Sequence, residues 1–181
     1  MSLLSSILRG SLGFAVVSVA AFSVWAFGDL WFYHHGGEVT MYSACFLVLV
    51  MLPGVLLHRL LAGPRSLGRF YTIFIPAFLA YAVAWSAGWF RIGAGIGEWV
   101  ASLAGSFAFA AVLAIMSRNG RALLPSTLVL FVAHSAGYFL GEWICYVSLH
   151  DVLSELIWGL LYGLGFGAGI GHAFWAMQRR K

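Results

Sequence analysis

The sequence predicts an all-α integral membrane protein whose six transmembrane helices form three helical hairpins inserted in the same direction. Of the 181 residues, 62% are hydrophobic and 9% are charged, and the mean hydropathy is +0.93. Soluble chains are about 25% charged, so this chain lacks the polar side chains that a soluble surface requires. An aromatic content of 17% excludes a disordered chain. The distribution of charge and an internal repeat predict the orientation and the hairpins.

A helix that crosses a bilayer needs about 20 mostly apolar residues, and six segments meet that requirement. They are residues 12–28, 39–61, 70–90, 97–116, 123–148 and 156–177. The turns expected between them are residues 29–38, 62–69, 91–96, 117–122 and 149–155. These turns are too short to hold a soluble domain, so we expect residues 1–181 to form a single transmembrane domain.

Charged residues sort by sign across the predicted membrane. Nine of the ten basic residues fall on one side: Arg9, Arg59, Arg65, Arg69, Arg118, Arg121, Arg179, Arg180 and Lys181. The six acids fall at or near the other side: Asp29, Glu38, Glu98, Glu142, Asp151 and Glu155. Basic loops are retained in the cytoplasm, so both termini are predicted to be cytoplasmic, in a bacterial inner membrane. The net charge of +4 thus reflects topology and does not indicate nucleic-acid binding.

An internal repeat relates helix 3 to helix 5. Arg69, Pro76 and Trp85 correspond to Arg118, Pro125 and His134, each pair 49 positions apart. A fainter match at an offset of 60 relates Arg9 and Trp25 to Arg69 and Trp85. The predicted hairpin repeats are residues 9–61, 69–117 and 118–178. Repeats share geometry, so we expect Trp25, Trp85 and His134 to lie at one depth and to converge on a central axis.

The predicted outer half of the membrane is rich in tryptophan. Seven of the eight tryptophans fall there: Trp25, Trp31, Trp85, Trp89, Trp99, Trp143 and Trp158. An aromatic belt at the headgroups accounts for Trp31, Trp89 and Trp158. A belt normally marks both interfaces, whereas the inner side has only Trp175. The alternative is an outward-facing pocket whose rings attract cations.

Two acids lie within helices, in the triplets Gly97-Glu98-Trp99 and Gly141-Glu142-Trp143. The two helices are antiparallel, so both triplets are expected at the same outer level. A carboxylate within the membrane must be paired, protonated or hydrated, and a carboxylate pair can bind a cation or carry a proton. Two simpler roles stay open: Glu98 capping helix 4, and Glu142 reaching the headgroups.

Histidines raise the possibility of a metal or a cofactor. The candidates for an outer divalent metal site are His34, His35, Glu38, His150 and Asp151. His134 and His172 are intramembrane, and either could ligate haem or a pigment. Because they fall at different depths, one haem could not easily use both. The alternative for each is a hydrogen bond between helices.

Helix 6 carries glycines at four-residue intervals: Gly159, Gly163, Gly167 and Gly171. Such faces let helices pack closely, either within the bundle or as a groove for another subunit or a lipid. Cys45 and Cys145 match no metal or redox spacing. Both are expected near the outer face, as small apolar residues or as a disulfide.

The leading functional hypothesis is a membrane transport protein, or the substrate-binding subunit of one, that holds a small cationic or aromatic solute. The predicted lining is Trp25, Trp85, Glu98, His134, Glu142 and Trp143, with Asp29 and Tyr138 near the mouth. Six spans in this length with both termini inside resemble the substrate-binding subunits of energy-coupling-factor vitamin transporters. Expected partners are the lipid bilayer, the solute, and other membrane subunits or a second copy.

Two alternatives remain. One is a non-catalytic subunit of a larger membrane complex that ligates haem, pigment or metal through histidine. The other is a membrane enzyme with an outer metal site, although the sequence contains no nucleophile or metalloprotease motif.

Overall fold

The computed structural model describes residues 1–148 and 151–179, which form six long helices and two short 3-10 turns. The helices are α1 (Leu3–His35), α2 (Gly37–Leu57), α3 (Ser66–Ile92), α4 (Ile96–Ser117), α5 (Leu123–Val147) and α6 (Val152–Gln178). The 3-10 turns are His58–Leu60 and Gly120–Ala122, and the described residues contain no strand. All six helices are long and apolar enough to cross a membrane. The predicted six-helix multi-pass protein is therefore confirmed.

Large apolar side chains point outward along these helices. Leu30, Val39, Phe90 and Ile96 are each exposed over more than three quarters of their surface. Water would oppose so much apolar exposure, whereas lipid tails are as apolar as these side chains. The outer surface of the bundle is therefore suited to a bilayer.

The predicted turn at residues 29–38 is wrong. Helix α1 continues to His35, and only Gly36 separates it from α2. Gly37 then has a φ of 69°, which glycine adopts at no steric cost. At 33 residues, α1 is about 50 Å long. It therefore extends well beyond a hydrocarbon core of about 30 Å, and its polar residues lie on a helix.

The six helices form a closed ring in chain order. Each helix contacts the next one along the chain, α6 returns to contact α1, and α6 also contacts α4. The pairs α1–α2, α3–α4 and α5–α6 are therefore adjacent antiparallel hairpins. Their equivalence as three repeats and the side on which the termini lie stay predictions.

Aromatic rings fill the interior of the ring of helices. Phe70, Phe74 and Phe78 stack along α3, with ring centroids 5.1 and 5.4 Å apart. Phe14 of α1 and Phe166 of α6 meet edge to face at 5.2 Å. All five are fully buried. This aromatic core lies beneath the candidate site described below.

Helix α6 packs through glycine on two faces. Gly159, Gly163, Gly167 and Gly171 all lie against α1. Gly165 and Gly169 lie against Ala133 and Leu130 of α5. The four-residue glycine face is therefore covered by α1 and is not a free groove for another subunit. The hydroxyl of Ser6 adds a hydrogen bond of 2.7 Å to the carbonyl of Gly171.

Asp151 caps the start of α6. Its carboxylate accepts a hydrogen bond of 2.7 Å from the backbone N–H of Ser154, which lowers the pKa of Asp151 below its usual value of 3.8. A lowered pKa stabilises the fold above about pH 4, and this contribution is lost as the pH falls through the folded-state pKa. We therefore expect wild type to lose thermal stability relative to Asp151→Asn between pH 5 and pH 2, as judged from melting temperatures. A difference in melting temperature between the two proteins that stays constant over this pH range would contradict the capping role of Asp151.

Candidate functional site

The structure gathers aromatic and acidic side chains around Tyr138 of α5. The ring of Tyr138 lies 5.9 Å from Trp85 of α3 and 5.6 Å from Trp158 of α6, between centroids. It also stacks on His134, one turn earlier, at 5.9 Å. We call this group the Tyr138 cluster and define it as Trp85, Glu98, His134, Tyr138, Glu142 and Trp158.

Helical spacing places three of these residues on one face of α5. His134, Tyr138 and Glu142 are four residues apart, so they lie one above the other on successive turns. Trp25 reaches the cluster indirectly, through an edge contact of 5.9 Å with Trp158. Side chains from α1, α3, α4, α5 and α6 therefore meet in one region.

A carboxylate approaches the Tyr138 hydroxyl, and a second one lies nearby on α5. Glu98 of α4 is only 8% exposed. One of its oxygens accepts a hydrogen bond of 3.0 Å from the backbone N–H of Gly95, and the other lies 3.5 Å from the Tyr138 hydroxyl. Glu142 is partly buried and interacts with Glu98. Glu98 thus caps α4, as the simpler interpretation predicted, and also faces a second acid and a phenol.

A buried hydrogen bond lies deeper in the bundle. His134 is fully buried, and its Nε2 lies 2.7 Å from the hydroxyl of Tyr81. The ring of Tyr162 packs edge-on against His134, with ring centroids 5.4 Å apart. Because Nε2 is engaged by Tyr81, His134 forms a hydrogen bond between α5 and α3, as the alternative interpretation predicted.

Three nitrogen atoms of the cluster are buried without a hydrogen-bond partner among residues 1–148 and 151–179. They are Nε1 of Trp85, Nε1 of Trp158 and Nδ1 of His134. An indole nitrogen can only donate, and leaving such a donor unpaired costs about 1–3 kcal/mol. Acceptor atoms of a small molecule among these rings would recover that energy.

Some predicted lining residues lie away from the cluster. Trp143 is 60% exposed, since it follows Glu142 and points about 100° away from it around α5. Asp29 is exposed near the end of α1. Sequence reasoning missed Tyr81 and Tyr162. The available signal was their spacing, four residues before Trp85 and four residues after Trp158.

The candidate metal ligands do not converge in the described part of the chain. His34, His35 and Glu38 are exposed, and His35 Nδ1 lies 2.8 Å from the carbonyl oxygen of Trp31. Asp151 is the α6 cap, and His150 lies outside the described residues. Within residues 1–148 and 151–179, no group of three His, Cys, Asp or Glu side chains could hold a metal ion. Cys45 and Cys145 are both free thiols.

The fold and the site together define a class: a six-span membrane protein with an acidic and aromatic cluster inside its helical ring. Comparison with protein-family models, with curated proteins and with solved structures found no match to this chain. The resemblance to the energy-coupling-factor subunits therefore rests on size and topology alone.

Proposed function

We propose that this chain is a solute-binding membrane protein, either a transporter or its binding subunit, that holds a small aromatic cation at the Tyr138 cluster. One observation carries the proposal: the buried carboxylate of Glu98 approaches the Tyr138 hydroxyl beside an indole ring, and Glu142 lies one turn beyond Tyr138 on the same face of α5. Two neighbouring acids repel each other unless a proton or a cation lies between them. A cationic solute would neutralise the charge of both carboxylates.

The aromatic rings suit the remainder of such a solute. Trp85 and Trp158 flank Tyr138 on two sides, and a cation over an aromatic face gains about 0.5–2 kcal/mol. The unpartnered nitrogen atoms of both indoles and of His134 add hydrogen-bonding positions for polar atoms of the solute. Glu142, Trp85, Tyr138 and Trp158 are each partly exposed, which supports access from one end of the bundle.

We further propose that this end faces outward, with both termini in the cytoplasm of a bacterial cell. The charge pattern supports this orientation, because the arginines of the α4–α5 turn lie at the opposite end of α5 from Glu142. The threefold repeat belongs to the same proposal. It is supported by the contacts of Trp85 and His134 with Tyr138. Trp25 reaches the same region because it contacts Trp158.

Benzyltrimethylammonium is expected to bind the purified protein in nanodiscs saturably and about tenfold more tightly than its uncharged carbon isostere. Tryptophan fluorescence and calorimetry would measure both affinities. Glu142→Gln keeps the shape and removes the charge, so we expect it to weaken cation binding about tenfold. Glu38→Gln, an exposed acid outside the cluster, is the matched control and should change affinity less than about twofold. Equal binding of the cation and the isostere, or equal losses in the two variants, would refute the proposal.

A further inference from the structure

A second site lies at the other end of the bundle, between the α4–α5 turn and the last turns of α6. It is a cleft of about 640 Å³. Its polar lining is Arg118, Asn119, Arg121, His172, Trp175 and Arg179. The Tyr138 cluster shares no residue with it.

The cleft has a strongly positive lining. Three of its ten lining residues are arginines, and none of these described residues is acidic. Helix α5 begins at Leu123, next to the lining residues Arg121 and Ala122. The start of a helix carries partial positive charge. Side chains and backbone therefore favour an anion at the same place.

Hydrogen bonds hold the two walls of the cleft together. The side-chain amide of Asn119 donates to the backbone carbonyls of Ala176, at 3.2 Å, and Arg179, at 3.0 Å. The Arg179 guanidinium lies 4.2 Å from the centre of the Trp175 ring, which positions it by a cation–π contact. The α4–α5 turn and the end of α6 thus form one fixed frame.

The inner wall of the cleft carries polar atoms with unused hydrogen-bonding capacity. His172 is only 9% exposed, and its Nδ1 is buried without a partner in the described chain. Nε1 of Trp175, an obligatory donor, is likewise buried and unpaired among those residues. Both side chains line the cleft. Since buried polar atoms are almost always paired, these two atoms are an independent indication that a ligand binds there.

We infer that this cleft binds a phosphoryl group. The arginine guanidinium matches phosphate oxygens with two parallel N–H bonds, and three guanidinium groups line one cavity together with a helix start. The Trp175 Nε1–H, and the His172 Nδ1 in the tautomer that protonates it, provide further donors to the oxygens. The volume exceeds that of one phosphate, so the remainder of a lipid headgroup or of a soluble phosphate ester fits as well.

The test uses the full-length protein in a neutral maltoside detergent, titrated calorimetrically with three probes. These are inorganic phosphate, glycerol phosphate and a short-chain phosphatidylglycerol below its critical micelle concentration. We expect saturable binding of at least one probe, weakened about tenfold or more in Arg118→Gln/Arg121→Gln. The control Arg59→Gln/Arg65→Gln removes the same charge from exposed positions outside the cleft and should change affinity less than about twofold.

The pattern across probes identifies the source of the phosphoryl group. Binding of phosphatidylglycerol alone, with the arginine dependence above, supports a lipid headgroup. Binding of inorganic or glycerol phosphate with that dependence supports a soluble phosphate. Failure of all three probes to saturate, or equal losses in the two double variants, would overturn the inference. Neither outcome bears on cation binding at the Tyr138 cluster.

Discussion

Gly167→Ala is expected to destabilise the protein by about 3 kcal/mol, the upper end of the usual cost of overpacking. A Cβ at position 167 would collide with the carbonyl oxygen of Gly10 and would lie 2.7 Å from the Cβ of Phe14. The backbone oxygen cannot rotate away, so relief requires α1 and α6 to separate. In a bilayer, helices associate mainly through close van der Waals packing, and separation of the two helices removes that packing along their length.

Gly68→Ala is the matched control for this experiment. Gly68 is also helical, but a Cβ there would meet nothing within 4 Å. Alanine is a better helix former than glycine by about 1 kcal/mol, so this variant should be neutral or slightly more stable. Unfolding of both variants in mixed micelles, followed by circular dichroism as denaturing detergent is added, gives the two free energies. Similar stabilities would show that α1 and α6 can separate at little cost.

The sequence was informative about the helices because lipid imposes a simple rule: each crossing needs a long apolar run. Where lipid ends, that rule no longer applies. Asp29, His34 and His35 lead residues 29–35 to be interpreted as part of a turn, yet these residues continue α1, since a helix can leave the membrane without changing its backbone. The actual break at Gly36 is a single residue, which hydropathy averaged over many residues does not detect.

Within the candidate site, helical spacing predicts only which side chains of a single helix share a face. His134, Tyr138 and Glu142 share a face of α5 by their spacing alone, and the same geometry places Trp143 elsewhere. The neighbours from other helices depend on the order of helices around the ring. The placement of Trp158 beside Tyr138 follows from the packing of α6 on α5 through Gly137 and Gly141, which no pattern within a single helix encodes.

Phe14→Ala is expected to reduce both the stability of the fold and the affinity of the proposed solute site. Phe14 is fully buried, and its ring meets Phe74, Phe78, Tyr162 and Phe166 at centroid distances of 5.2 to 6.5 Å. Buried Phe→Ala changes cost about 3–5 kcal/mol. We expect the free energy of unfolding to fall by about 3 kcal/mol here, at the lower end of that range. An apolar ring gains little by moving from lipid into the protein interior, so most of the loss comes from lost packing.

The effect on affinity follows from the position of Tyr162 and Phe166. Both rings contact Phe14 on one side and His134 on the other. A cavity at position 14 therefore loosens the residues that fix His134 beneath Tyr138. Phe27→Ala removes the same side chain from the same helix at a site 70% exposed, so its cost should stay below about 0.5 kcal/mol. Stability measured in mixed micelles and benzyltrimethylammonium affinity in nanodiscs would separate the two effects. If Phe14→Ala lowers stability and leaves affinity at the Phe27→Ala value, the cluster is held by its own contacts and the aromatic core contributes only to folding.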